Sequence, residues 1–538
     1  MVGRVGEAAG PGLYAERMAR ILVTEEIAEI GLDRLRHAGH EVDVRLGLPP
    51  GELLAAVPGA QALIVRSATQ VTADVLGAGL DLVVVGRAGI GLDNVDVAVA
   101  TTRGVMVVNA PESNILSAAE HTFAMLMAQA RNIPQAHAAL VEGRWERSKW
   151  EGVELADKTL GVVGLGKIGR LVATRAATFG MKILAYDPYV AEPAVRQLGY
   201  EPVDLDELCA EADFITLHVA KTKETVGLLD EARLARCKPG VRIVNVARGG
   251  IVDEEALAAA VRSGRVAGAA LDVFVEEPTT SSPLFGLPGV IVTPHLGAST
   301  REAQDKAGVT IAEQVVLALA NDFVPFAVNV PAGPVSEAVR PFLGLAERLG
   351  RLFVSLHEGV PTKLEVAYQG QLAEADTRIL TLSVLKGVFA HVSDVPVSYV
   401  NAAGLAAERG VEVRETTSTT LYDYVNLITI RGGQHALAGT MVGLRGEARL
   451  VMLDDNAVDL PPAPYMLYVR NDDEPGMIGK VGTILGAAGV NIDDMDVGRD
   501  PTGEPSTMVL AVGTPVPAEV LDELRRQDGI VSAQALQG

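Results

Sequence analysis

A chain of 538 residues, 48% hydrophobic and 21% charged, is longer than one hydrophobic core supports and requires several domains. Its formal net charge of −22 argues against bulk attraction to nucleic acid, so an anionic substrate has to be met by local cations. No stretch reaches the ~18 apolar residues of a membrane span. Its two cysteines, Cys209 and Cys237, make neither a disulfide framework nor a metal knuckle, so buried thiols in a reducing cytosol and no metal are expected.

Residues 1–19 precede the first strand-like run, RILVT. Residues 1–17 lack the apolar centre of a signal peptide, and Met18 stands just before the run, so a disordered extension or an upstream start is expected here. Residues 20–118 alternate β-branched runs (RILVT, EVDVR, ALIVRS, DLVVVG, VMVVN) with helical segments, the rhythm of a parallel α/β layer structure. Three of these runs end in residues suited to a ligand: Arg66-Ser67, the turn GRAG with Gly89, and Asn109. The carboxyl edge of a parallel sheet is where ligands sit. The apolar-faced stretch 117–131 predicts a helix joining this lobe to the next. The loop GRWERSKW follows, with Trp145 and Trp150 among Arg144, Arg147 and Lys149, either a solvated loop pinned by its aromatics or a subunit contact, where such residues are enriched.

Residues 119–304 hold the strongest signal. The run TLGVVGLGKIG carries Gly164, Gly166 and Gly169 in the spacing G-x-G-x-x-G, followed by a predicted helix and then KILAY, which ends at Asp187. The first glycine permits a tight turn, the second lets backbone N–H groups approach a pyrophosphate, and the third lets helix pack on strand. The helix N-terminus adds partial positive charge. Asp187 is placed to accept from a ribose, and Pro188 and Tyr189 after it supply no cation for a 2′-phosphate, which favours NAD over NADP.

Three further strand-like runs end in Arg248 (VRIVNVA), Glu277 (just beyond LDVF) and His295 (VIVT). Singly, Arg248 could cap a helix or pair with Asp253, Glu277 is one acid among many, and His295 could serve a turn. Together they supply what hydride transfer at a hydroxy acid needs. A histidine takes the alcohol proton, a carboxylate fixes its tautomer, and a guanidinium grips the substrate carboxylate.

Residues 301–323 predict a long helix that returns the chain to the first lobe, which would then comprise 20–118 and 305–331, with PFAVNVPAGP as a linker. Residues 332–463 mix helices (EAVRPFLGLAERLGRLFVSLHEG, ADTRILTLSVLKGVF) with strands (TKLEVAYQG, VNLITIRG, RLVML) as a separate α+β domain. Lys386, His435, Arg445 and Arg449 there are either an anion site or a solvated face. After LPPAPY, residues 465–538 read βαββαβ, the ferredoxin-like order. Its first helix carries Gly479, Gly482 and Gly486, which weaken it unless a backbone or small ligand approaches closely.

From residue 20 to the end, the motifs VRSAT, VGRAGIGLDNVD, GVVGLGKIG, NVARGGIVDE, LDVFVEEP and TPHLGAST resemble the D-2-hydroxyacid dehydrogenase family, and within it the long D-3-phosphoglycerate dehydrogenases. The resemblance implies a Rossmann-type doubly wound nucleotide-binding domain inserted in a flavodoxin-like α/β substrate domain. An α+β regulatory domain and a ferredoxin-like ACT domain would follow. It implies the catalytic set Arg248, Glu277 and His295, with cofactor contacts at Lys167, Ile168, Asp187, Val246, Asp272, His295, Gly297 and Ala298. It places Arg66, Ser67, Gly89 and Asn109 in the substrate pocket, and serine contacts at Asn471, Asp473 and Asn491 across paired subunits. Ile90 stands where many relatives carry threonine, and Asn471 where an aromatic or histidine is common. The implied activity is NAD-dependent oxidation of 3-phosphoglycerate towards L-serine, in a cytoplasmic homotetramer under serine feedback. Another D-2-hydroxyacid dehydrogenase, acting on glyoxylate or hydroxypyruvate, and a non-catalytic NAD-sensing regulator are the alternatives.

Overall fold

The computed structural model describes residues 18–332, 335–393, 397–420, 423–443, 446–498 and 506–538; the expected extension at 1–17 and Arg445 lie outside them. Four sheets organise the described residues. The first comprises β1 (Arg20–Val23), β2 (Glu41–Val44), β3 (Ala62–Val65), β4 (Val84–Arg87) and β5 (Met106–Asn109), all parallel in the order β2-β1-β3-β4-β5. Both faces are covered, so its strands are continuously apolar yet sort by the two-residue strand period. Ile21, Val23 and Ile64 enter one core, and Leu22, Leu63 and Val65 enter another. The helix Arg301–Leu319 closes the first of these cores with Ile311 and Val315. It crosses the helix Glu29–His37 where two glycines meet: a Cβ on Gly31 would lie 2.6 Å from the Gly308 carbonyl oxygen.

The second sheet comprises β6 (Thr159–Val163), β7 (Lys182–Tyr186), β8 (Glu201–Pro202), β9 (Phe214–Leu217), β10 (Val241–Asn245), β11 (Val266–Leu271) and β12 (Val290–Val292). All are parallel in the order β12-β11-β10-β9-β6-β7-β8, so strand order reverses at β6 and β9. In a doubly wound sheet the ligand crevice opens outside the carboxyl ends at that reversal. The helix Ile115–Ala130 carries the chain between the two sheets.

The third sheet runs β14-β13-β15-β16-β17-β18, from β13 (Lys363–Gly370), β14 (Glu412–Ser418), β15 (Asn426–Gly432), β16 (His435–Val442), β17 (Glu447–Leu453) and β18 (Asn456–Leu460). Three of these six strands are expected from hydrophobic pattern alone. Of the other three, β14 is a polar edge strand and β16 is rich in small residues. The helices Leu343–His357 and Arg378–Phe389 pack closely, because a Cβ on Gly350 or Gly387 would come within 2.1 or 2.0 Å of the facing backbone oxygen.

The fourth sheet is antiparallel, β20-β21-β19-β22, from β19 (Tyr465–Asn471), β20 (Ile492–Gly498), β21 (Ser506–Val512) and β22 (Ile530–Gln537). Leu467 and Val469 face its two helices, while Met466 and Tyr468 turn to the core of the third sheet. Among the described residues no helix is long and apolar enough to cross a membrane, and no group of three or more His, Cys, Asp or Glu is arranged to hold a metal.

Candidate active site

The glycine turn between β6 and the helix Lys167–Thr178 divides its three tasks as the spacing requires. Gly164 has φ +92°, and a Cβ there would lie 2.5 Å from the His218 carbonyl oxygen. Gly169 packs so closely that a Cβ would lie 2.0 Å from the Gly164 oxygen. Gly166, at the helix N-cap, has nothing within 4 Å of its missing Cβ, which leaves the open face an approaching phosphate needs. Asp187 stands at the end of β7 and ties the turn from beside it, accepting from Leu165 N–H at 2.8 Å and Tyr189 N–H at 2.9 Å. Lys167 reaches across to Glu112 in the first lobe, 2.6 Å away.

Beyond the turn a cleft runs between the lobes. Ile168, Val246, Arg248, Asp272, His295, Gly297 and Ala298 line it together, with Ile90 and Asn114 from the facing lobe. His218, at the end of β9, also lines it. Desolvation pushes its imidazole down to about 3, so it is neutral at working pH. The sequence carries a signal for it, since LHV ends a strand on the same edge as the other site residues.

His295 Nδ1 meets Glu277 Oε2 at 2.6 Å, which leaves Nε2 for substrate. Glu277 Oε1 accepts from Phe274 N–H at 2.9 Å. Burial opposes ionisation of Glu277, but the bonds from His295 and Phe274 outweigh it, and the carboxyl stays below its usual range. His295 has φ +55°, a conformation that has to be held by its surroundings. Asp272, fully buried at the end of β11, holds it. Its carbonyl oxygen accepts from His295 N–H at 2.9 Å, and its carboxylate accepts from Leu296 and Gly297 N–H at 2.7 and 2.8 Å. Thr293 Oγ1 at 2.5 Å and His121 Nε2 at 3.2 Å complete the shell. Against the penalty of burial these bonds keep Asp272 ionised below its usual range.

Arg248 is positioned by Asn245, which bonds both the Arg248 carbonyl oxygen (2.9 Å) and Ala247 N–H (3.0 Å). Its Nε meets Asp93 Oδ2 of the other lobe at 3.1 Å; Asp253 instead caps the helix Glu254–Arg262.

On the first lobe, Arg66, Ser67 and Gly89 line one pocket with His295, Ser113, Asn114 and Gln304. The Arg66 loop is shaped by Glu25, whose carboxylate accepts from Arg66, Ala68 and Thr69 N–H at 2.8–3.1 Å, and by Asn94, which donates to the Arg66 and Thr69 carbonyls. Arg87 lines the same pocket with its Nε buried and unpaired. Desolvation, reinforced by the charge of Arg248, pushes it down to about 10. Gly89 is what gives Arg87 room, since a Cβ would lie 1.7 Å from its Nη1. Arg87 follows the strand run in GRAG, yet its inward direction is not readable from sequence. Asn109 lies behind the wall rather than in it, with Nδ2 donating to the Ile90 carbonyl at 2.8 Å.

Among the described residues, Lys386, His435 and Arg449 of the third domain do not share one site. Lys386 is buried on Glu347, His435 meets Asp454, and Arg449 pairs with Asp459, so each already has a carboxylate partner of its own. In the fourth sheet Asn471 is buried with its Oδ1 unpaired, while Asp473 and Asn491 are exposed. Strand register puts Asn471 beside Ser506 and Ile492 beside Val512, so Asn471 and Asn491 sit at opposite ends of β21 within one chain. Gly479, Gly482 and Gly486 have no neighbour near their missing Cβ atoms, leaving that helix face open.

Residues 123–297 match the NAD binding domain of the D-isomer specific 2-hydroxyacid dehydrogenases, the class that this fold and cleft define. Residues 338–454 match the D-3-phosphoglycerate dehydrogenase intervening domain, and 465–529 the ACT domain. The D-3-phosphoglycerate dehydrogenase of Mycobacterium leprae is 50% identical over 507 residues, 93% of this chain and 96% of that protein. That of a Synechocystis species is 44% identical over 523 residues, 96% and 94% of the two chains. The crystal structure of an NAD-dependent formate dehydrogenase from Staphylococcus aureus in complex with NAD is 31% identical, covers 57% of this chain and 97% of its own, and superposes with a TM-score of 0.52. The chain belongs to the D-3-phosphoglycerate dehydrogenase family.

Proposed function

We propose that this chain oxidises 3-phospho-D-glycerate to 3-phosphooxypyruvate with NAD, the entry to L-serine synthesis. The observation that carries this reading is the His295–Glu277 pair at 2.6 Å facing a pocket that holds Arg66 and Arg87. The residues around the glycine turn suit a dinucleotide, with an open backbone at Gly166 and Asp187 beside it. When bound, NAD supplies the hydride acceptor. His295 Nε2 takes the proton of the substrate 2-hydroxyl as the hydride leaves C2, and Glu277 stabilises the imidazolium through Nδ1. Arg248 grips the carboxylate and polarises the forming carbonyl. Arg66, Arg87 and Ser67 hold the phosphate, and Glu25 and Asn94 hold their loop. His218, neutral, lines the cofactor side.

Comparing kcat/KM for 3-phosphoglycerate with that for glycerate tests the assignment. A phosphate facing two guanidinium groups should be worth a factor on the order of 10²–10³ or more. Equal values, or a preference for glyoxylate or hydroxypyruvate reduction, would reject it. We also infer a cytoplasmic homotetramer that L-serine inhibits through the ACT domain. The separation of Asn471 from Asn491 within one chain supports the pairing of two copies through this domain, because a pocket using both needs a second copy. Light scattering and a serine titration of the initial rate test it; a monomer, or a rate indifferent to serine, would reject it.

A further inference from the structure

Among the described residues, ion pairs cross the cleft between the lobes from Glu112 to Lys167 at 2.6 Å and from Asp93 to Arg248 at 3.1 Å. The second engages the guanidinium assigned above to the substrate carboxylate. Asp93 is well exposed, with 63% of its side chain accessible, so it is not a folding anchor. Its contact is a single one, to Nε, while Arg248 Nη1 donates to the Ala247 carbonyl at 2.7 Å. The chain is shaped to allow the contact. A Cβ on Gly91 would lie 2.2 Å from Arg248 Nη2 and 2.9 Å from Asp93 Oδ2, so any other residue there would push the pair apart. Asp93 is also close enough for its charge to act on Arg87, partly offsetting the mutual repulsion of Arg87, Arg248 and Arg66. An exposed carboxylate on an arginine that awaits a carboxylate is a competitor for it.

We infer that Asp93 is an internal counter-ion that occupies Arg248 in the empty site and yields it to the substrate carboxylate, so that it sets the enzyme's affinity for its anionic substrate. The inference rests on Arg248 being the carboxylate anchor. Asp93 keeps the cationic pocket from filling with any small anion, at the expense of a weaker grip on substrate, and it lets product, which carries the same carboxylate, leave.

The test is Asp93→Asn in the full chain. One arm is steady-state kinetics, varying 3-phosphoglycerate at saturating NAD and then NAD at saturating 3-phosphoglycerate. The other is calorimetric titration of the NADH-loaded protein with malonate, a carboxylate that is not turned over. A half-exposed ion pair is worth roughly a two- to fivefold effect. KM for 3-phosphoglycerate and the dissociation constant of malonate should therefore both fall by about that factor, with KM for NAD unchanged, and Asp93→Glu should retain wild-type values. A rise in both constants would overturn the inference, making Asp93 a support for the productive pose of Arg248, and unchanged constants would overturn it too. If wild-type protein failed to oxidise 3-phosphoglycerate, the functional reading would fall, while the malonate arm would still decide what Asp93 does.

Discussion

Replacing Glu277 with glutamine isolates the role of one charge. The side chain keeps its shape, and Phe274 N–H, 2.9 Å from Oε1, selects the amide oxygen for itself. The amide NH2 then faces His295 Nδ1 across the 2.6 Å contact. Nδ1 has to become the acceptor, the ring proton moves to Nε2, and the nitrogen that should receive the substrate proton already carries one. The imidazolium also loses a charge-assisted bond worth about 1.5–3 kcal/mol. At 1.36 kcal/mol per decade that is roughly 10- to 150-fold in rate, before any tautomer penalty. Both side chains are about a third exposed or more, so the bond itself contributes toward the lower end. With the tautomer added, kcat should fall on the order of 10²-fold. KM for 3-phosphoglycerate should move by less than about twofold, because its anion contacts are untouched. NADH absorbance in initial-rate assays measures both. A kcat within about threefold of wild type would refute the assigned acid–base role.

The three glycines of the turn should respond differently. Gly169→Ala drives a Cβ to 2.0 Å from the Gly164 oxygen and should lower thermal stability by several degrees. Gly166→Ala has open space and should fold normally but bind NADH at least about tenfold more weakly by fluorescence titration; equal effects of the two would contradict the division of tasks. Lys386→Met removes the buried partner of Glu347 and a contact to the Asn321 carbonyl, and should cost about 3 kcal/mol in denaturant unfolding; no loss would show that Arg351 alone satisfies Glu347. Glu25, Asp272 and Glu277 all ionise more readily folded than unfolded. They therefore stabilise the fold above the unfolded carboxyl values near ~4, and that stability is lost as pH falls through their lower folded values. Trp145 and Trp150 report on the lobe that carries Asp272 and Glu277, and a denaturation midpoint that rose on acidification through pH ~4 would contradict this sign.

The cofactor turn is legible in sequence because its demands are local: a strand, three glycines and an acid at fixed offsets. Arg248, Glu277 and His295 are legible because parallel strands all deliver their carboxyl ends to one edge. Residues whose role depends on direction are not. Arg87 stands in plain view in GRAG, but only the fold turns it into the pocket. Asn109 has the right position and the wrong direction, spending its amide on the Ile90 carbonyl. Glu25, Asn94 and His121 act on partners far along the chain, which no local pattern encodes. The same holds for Lys386, His435 and Arg449 of the third domain, whose carboxylate partners are brought near by a helix pair for Lys386 and by the sheet for the other two.

The central claim is that this cleft moves a hydride from C2 of 3-phosphoglycerate to a nicotinamide while His295 takes the hydroxyl proton. Substrate deuterated at C2 tests it most directly, with mass spectrometry of the reduced cofactor. The account predicts deuterium in the nicotinamide ring with wild-type protein and no reduced cofactor above background with His295→Ala. Reduced cofactor free of deuterium, or turnover by His295→Ala at the wild-type rate, would contradict it.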